Sequence, residues 1–355
     1  MMNSFERMMA VLDGRKNEID RLPAINSVGT YTIDSMKTYD AYWPAAHKDP
    51  EKMARLSEGL HKSAGLDNVT VPFELTLEAE VFGATLRFFE NKVKWPTVSK
   101  FTIHDVSDIH FPKDIASSGR IPIIIKAIKI LKKKYEGKVP IIANLNCPFT
   151  SISGYLVDSI EFLKWMKRKP EKIHEFYKES FPYYAEIANL YKDAGADIIT
   201  FREEAASLDS ISPKQFKEFI KPYLTKMIEL VKPPRILHIC GQCVAHNGKI
   251  EIIKDMVECG AEAIAFDEKT PIKLAREIVD RIKPNYPIIG NIPAYGVIHQ
   301  GPIERIREAV KRVIAEGVDM VAPGCDFWLE TPTKNVKAFV DATKEFGTKK
   351  KEKTR

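Results

Sequence analysis

The chain has 355 residues, 44% of them hydrophobic and 29% charged, enough to bury one large core or two smaller ones. Its formal charge of +6 is small and scattered except for the closing KKKEKTR, and no basic stripe is interleaved with aromatics, so nucleic acid is not an expected partner. No apolar run approaches the roughly 20 residues that cross a bilayer, and the opening MMNSFERMMAVLDGRK reads as a charged amphipathic helix rather than a signal peptide; a cytoplasmic protein without a membrane span is expected.

After that N-terminal helical extension, RLPAIN (21–26) and NVTVPF (68–73) read as two strands. Residues 78–120, including VFGATLRFFENKVKWPTV and HDVSDIHFPKD, form an excursion after the second strand. From about residue 120, short apolar runs alternate with amphipathic stretches: VPIIANL (139–145), ADIITF (196–201), RILHIC (235–240), EAIAFD (262–267), YPIIGNI (286–292) and DMVAPGC (319–325). Helical segments such as SPKQFKEFIKPYLTKMIELV and GPIERIREAVKRVIAEG lie between them, often with Pro or Ser near the start and Gly at the end. Serial β–α units demand a parallel sheet, and eight strands are the count that closes a (β/α)₈ TIM barrel. A doubly wound open sheet is the alternative. No Gly/Ser-rich linker divides the chain, so residues 1–347 are expected to form one domain, with 348–355 as a solvated basic tail. Neither GxGxxG nor GxxxxGK[ST] occurs, so nucleotide chemistry is not indicated.

Five cysteines in a chain this long do not make a disulfide framework, and free thiols clustered with histidine favour metal or catalysis. In RILHICGQC, His238 and Cys240 are two apart and therefore share one face of their strand, at its C-terminal end. Cys325, in VAPGC, falls at the same end of the last strand. In a closed barrel these ends converge on one mouth, where catalytic groups gather. One imidazole and two thiolates make a good zinc set, and three protein ligands leave a fourth position open for a substrate. Cys243 could instead close the site as a fourth, structural ligand, and the plainest reading makes all these cysteines small hydrophobes. Packing roles suit Cys147 and Cys259 better, a surface-loop role suits His104 and His110, and His246 and His299 have no evident partner.

The HxC pair, the distant VAPGC strand end and the stretches WPAAHKDPEKMARL, GRIPIIIKAIKILKKKY and VECGAEAIAFDEK together resemble the methylcobamide:coenzyme M methyltransferases, a branch of the uroporphyrinogen decarboxylase superfamily. The resemblance runs through most of the chain. It implies a (β/α)₈ barrel holding one Zn²⁺ on His238, Cys240 and Cys325, with Asp267 (in FDEK, preferred over Glu268) as a displaceable fourth ligand. Glu80 keeps an acidic position of the family, and with Glu203 and Asn291 it is placed in the barrel-mouth pocket. The implied activity moves a methyl group from a methylcobamide, carried as co-substrate on a partner corrinoid protein, to the thiol of coenzyme M. The sequence departs from the family in its extra thiol Cys243 and in Arg202, Glu203 and Glu204, where relatives usually offer an aspartate-proline pair. That puts the methyl acceptor in question, with homocysteine or tetrahydrofolate as the alternatives. Porphyrinogen decarboxylation fits poorly, because LPAINSVGTYTIDSM lacks the arginines that grip substrate carboxylates.

Overall fold

Each of the six regular apolar runs becomes a strand of one parallel sheet. The computed structural model describes residues 2–101, 103–245 and 247–349. Its strands are β1 (Val69–Val71), β2 (Leu86–Arg87), β3 (Thr97–Val98), β4 (Ile141–Asn146), β5 (Ile198–Arg202), β6 (Arg235–Ile239), β7 (Ala263–Phe266), β8 (Ile288–Ile292) and β9 (Met320–Pro323). Seven of them pair in the order β1-β4-β5-β6-β7-β8-β9, all parallel, while β2 and β3 form a small antiparallel hairpin in the excursion. Crossover helices such as Pro170–Ala194, Ile272–Ile282 and Ile303–Ala315 cover the outside.

Strand alternation sorts the side chains. Ile199, Phe201, Leu237, Ile239, Ile264 and Phe266 point outward into the large core shared with the helices. Ile142, Ile198, Ile236, Ala263, Ile289 and Met320 point inward and form a separate apolar cluster with Met8, Val11 and Leu12 of the N-terminal helix, Ser4–Leu12. That helix stoppers the N-terminal end of the barrel. It is started by a capping box in which Asn3 Oδ1 accepts from Glu6 N (2.9 Å) and Glu6 Oε2 accepts from Asn3 N (2.8 Å). An inner cluster enclosed by strands overturns the open-sheet alternative, whose two faces would both carry helices.

The expected first strand, 21–26, is the one element that does not form a regular ladder. Only bridges remain: Ala24 pairs parallel with Val321, Ile25 N donates to Val321 O (2.9 Å), and Asp67 N donates to Ala24 O (2.9 Å). Pro23 has no N–H to offer a ladder. Side chains substitute instead, with Asn68 Oδ1 accepting from Asn26 N (3.0 Å) and Asp67 Oδ2 accepting from Ala24 N (2.8 Å). The segment thus ties β9 to β1 and closes the ring of strands. Thr348 bridges back to Arg21, and residues 350–355 of the basic run, like His246, lie outside the described residues. Among the described residues, no helix is long and apolar enough to cross a membrane.

Candidate metal centre

Continuing the inward set along each strand toward its C-terminal end gives the site. On β6, Ile236 is followed by His238 and then Cys240. On β5, Ile198 is followed by Thr200 and then Arg202, which lies in register with His238. Cys325 follows β9, and its carbonyl accepts from Asn26 Nδ2 (3.2 Å), so the ring-closing segment also fixes this ligand. After Cys240 the chain turns at Gly241 with φ +96°, and a Cβ there would meet Ser207 Oγ at 2.4 Å. Only glycine fits that turn.

His238, Cys240, Cys325 and Glu204 each offer a ligand atom, all within 4.8 Å of one another. His238 Nε2 lies 2.9 Å from Cys240 Sγ, and the two sulfurs are 3.1 Å apart. One imidazole nitrogen and two sulfurs this close together are a donor set that would suit a single zinc ion. The electrostatics fit as well. Burial, reinforced by the Arg202 charge, lowers His238 to about 3, which keeps the imidazole in its neutral, ligating form. Without a cation the Cys240 thiol is pushed well up, first by its hydrogen bond with Cys325 and then by burial. A divalent ion reverses that, because a coordinating thiol loses its proton. His238 Nδ1 is buried and has no hydrogen-bond partner among the described residues. The donor set fits zinc.

The acidic member of the cluster is Glu204, where Asp267 was expected. Asp267 lines the same cleft but lies outside the donor cluster. Its Oδ2 accepts from Gly241 N (2.6 Å) and its Oδ1 from Lys269 N (2.8 Å), so it pins the turn that follows Cys240. Burial raises the Asp267 carboxyl, and Glu268 beside it is raised for the same reason. Glu203 points the other way: it is buried, accepts from Thr150 N (2.6 Å) and Thr150 Oγ1 (2.7 Å), and is raised to about 8 by burial. Glu80 pairs with Arg120 Nε (2.8 Å). Asn291 is buried, and its Nδ2 donates to the carbonyls of Asp267 (2.7 Å) and Thr270 (2.6 Å), so it braces the β7 end. Cys243 is fully buried, with its sulfur against the carbonyls of Ile239 and Gly241, outside the donor cluster. Cys147 and Cys259 are buried, His104 and His110 are exposed, and His299 stacks on Tyr295.

Nothing in the sequence pattern signals how Arg202 is used. Its buried guanidinium donates from Nε to Glu204 Oε1 (2.7 Å) and from Nη2 to Asp326 Oδ2 (2.8 Å), holding both carboxylates beside the thiols. The cleft above, about 490 Å³, is floored by these groups, walled in part by buried Phe327, and rimmed by Trp95, Tyr295 and Trp328.

A family model described as uroporphyrinogen decarboxylase (URO-D) matches residues 3–346. The methylcobamide:CoM methyltransferase MtaA of Methanosarcina barkeri is 32% identical over 343 residues, covering 96% of this chain and 97% of that protein. The chain belongs to the URO-D family, in its methylcobamide:coenzyme M methyltransferase branch. The solved structure of a methyltransferase from Methanosarcina mazei superposes on this URO-D member with a TM-score of 0.89 at 32% identity, covering 98% of this chain and 99% of that one. A uroporphyrinogen decarboxylase of Thermus thermophilus is a more distant relative, 24% identical over 332 residues and covering 90% of this chain and 92% of that protein.

Proposed function

We propose that this URO-D-family chain is a zinc methyltransferase that moves a methyl group from a methylated corrinoid, presented by a partner protein, to the thiol of coenzyme M. The observation that carries this reading is the cluster of one imidazole, two thiols and one carboxylate at the mouth of a barrel. His238, Cys240 and Cys325 hold the ion, and Glu204 is the carboxylate beside them. Bound Zn²⁺ supplies a Lewis acid that favours the thiolate over the thiol of the acceptor.

The remaining work falls to the chain's own residues. Cys240 and Cys325 as thiolates offset the charge of a dication, so an incoming sulfur keeps its electron density. Arg202 occupies Oε1 of Glu204, which leaves Oε2 to take the acceptor's proton. Asp267 and Asn291 keep the Cys240 turn and the β7 end in place. Leu75 and Phe327 exclude water from the cleft wall. The acceptor sulfur bonds to the methyl carbon as the cobalt–carbon bond breaks, with the electron pair staying on cobalt, which passes from Co(III) to Co(I). The products are a methyl thioether and the demethylated corrinoid.

The test is loss of the methylcobalamin absorbance in protein carrying one zinc per chain, with coenzyme M, homocysteine and tetrahydrofolate as parallel acceptors. Thiol-dependent demethylation fastest with coenzyme M is expected. Methylcobalamin left intact by all three would end the reading.

A further inference from the structure

We infer that Tyr295 and Trp328 form an aromatic platform on which the edge of the corrin macrocycle rests while it covers the barrel mouth. This rests on the methyltransferase reading and adds where its methyl donor sits. The two residues come from different segments, one following β8 and the other following Cys325, yet their rings meet edge-to-face at 4.9 Å. They remain 49% and 46% exposed even though they pack on each other. His299 stacks beneath Tyr295 at 5.4 Å and stiffens the pair from behind. Both rings line the same cleft as Cys240 and Cys325.

Size decides what they meet. A cleft of about 490 Å³ takes a small, drug-sized molecule, so a thiol acceptor fits within it and a whole cobamide does not. The macrocycle therefore lies across the opening with its methyl group pointing down toward the thiols. A methyl–cobalt(III) corrin carries one formal positive charge. The cleft beneath carries Glu204, Asp267, Glu268 and Asp326 against the single guanidinium of Arg202, so the charges are complementary. A flat, largely apolar ring edge suits an exposed indole and phenol, which give contact area at little entropic cost.

The experiment compares wild type with Trp328→Ala, Tyr295→Ala and Trp328→Phe, all zinc-loaded, using free methylcobalamin as the probe. Equilibrium dialysis gives its Kd, and demethylation with coenzyme M gives KM for each substrate. Both alanine variants should weaken methylcobalamin binding about tenfold. KM for coenzyme M and the zinc content should stay at wild-type values, and Trp328→Phe should recover most of the loss. Unchanged methylcobalamin binding in both alanine variants overturns the platform, as does a change confined to the KM for coenzyme M. If wild type binds methylcobalamin but does not demethylate it, the methyltransfer reading fails; a binding loss in the variants would still support the platform. If wild type does not bind methylcobalamin at all, the platform fails on its own account.

Discussion

Arg202→Met tests whether the guanidinium is what holds two carboxylates beside two thiols. The Arg202 side chain is 1% exposed, while those of Glu204 and Asp326 are 17% and 15% exposed. Removing one partner of a buried ion pair costs about 3–5 kcal/mol, because the other charge is left uncompensated. Here both carboxylates keep a little contact with solvent and recover some hydration, which places the loss near the lower end, about 3 kcal/mol. Asp326 is the worse case, since its Oδ1 is already buried without a hydrogen-bond partner among the described residues. Adding Glu204→Gln and Asp326→Asn removes the stranded charges and should restore about 2 kcal/mol. Urea unfolding of chelator-treated protein is the appropriate assay, because metal binding to the folded state would otherwise mask the difference. A single-variant cost under about 1 kcal/mol, the value of a surface pair, would refute the reasoning. So would a triple variant no more stable than Arg202→Met.

Cys240→Ala and Cys325→Ala should each lose zinc, measured by metal analysis, while circular dichroism of the barrel is unchanged; full zinc occupancy in either variant rules out the proposed ligand set. His47 is fully buried among Trp43, Phe73 and Phe88, and burial lowers its pKa from 6.5 to about 3. The unfolded chain therefore binds a proton that the folded chain refuses, so this contribution is complete above pH 6.5 and is lost as pH falls toward 3. At pH 5 wild type should have lost about 2 kcal/mol relative to its pH 7 stability that His47→Phe does not lose, and equal acid slopes in urea unfolding would contradict this. Glu78 is the opposite case: burial raises it to about 8, and among the described residues its carboxyl oxygens make no well-formed hydrogen bond. Its neutral form is favoured in the fold, so stability is full below pH 4.5 and is lost as pH rises toward 8. Glu78→Gln should remove that slope and gain on the order of 3 kcal/mol over wild type at pH 7, read from urea midpoints at pH 5 and 7; equal gains at both pH values would contradict this.

Strand alternation explains what could be read beforehand. Ile236, His238 and Cys240 share a face, and that period of two brought the imidazole and first thiol to the barrel interior as expected. The same rule, carried two residues past β5, puts Arg202 and Glu204 inside and Glu203 outside, a distinction that a run of three charges does not show by composition. Asp267 does face inward, but the backbone amide of Gly241 claims its carboxylate, and no sequence pattern shows a hydrogen bond to a turn 26 residues away. The segment 21–26 reads as a strand by composition. Pro23 withholds one donor and Asp67 and Asn68 satisfy the others, so closure there depends on side chains whose pairing is invisible along the chain. The platform at Tyr295 and Trp328 was equally hidden, because its two rings come together only once β8 and β9 lie side by side.

The stopper made by Met8, Val11 and Leu12 closes the N-terminal end of the barrel among the described residues, so the C-terminal mouth is the way in. Two reactants sharing one entrance must queue, and the smaller has to go in before the larger shuts it in. The thiol should therefore enter first and its methylated product leave last, an ordered sequence imposed by a helix at the far end from the chemistry.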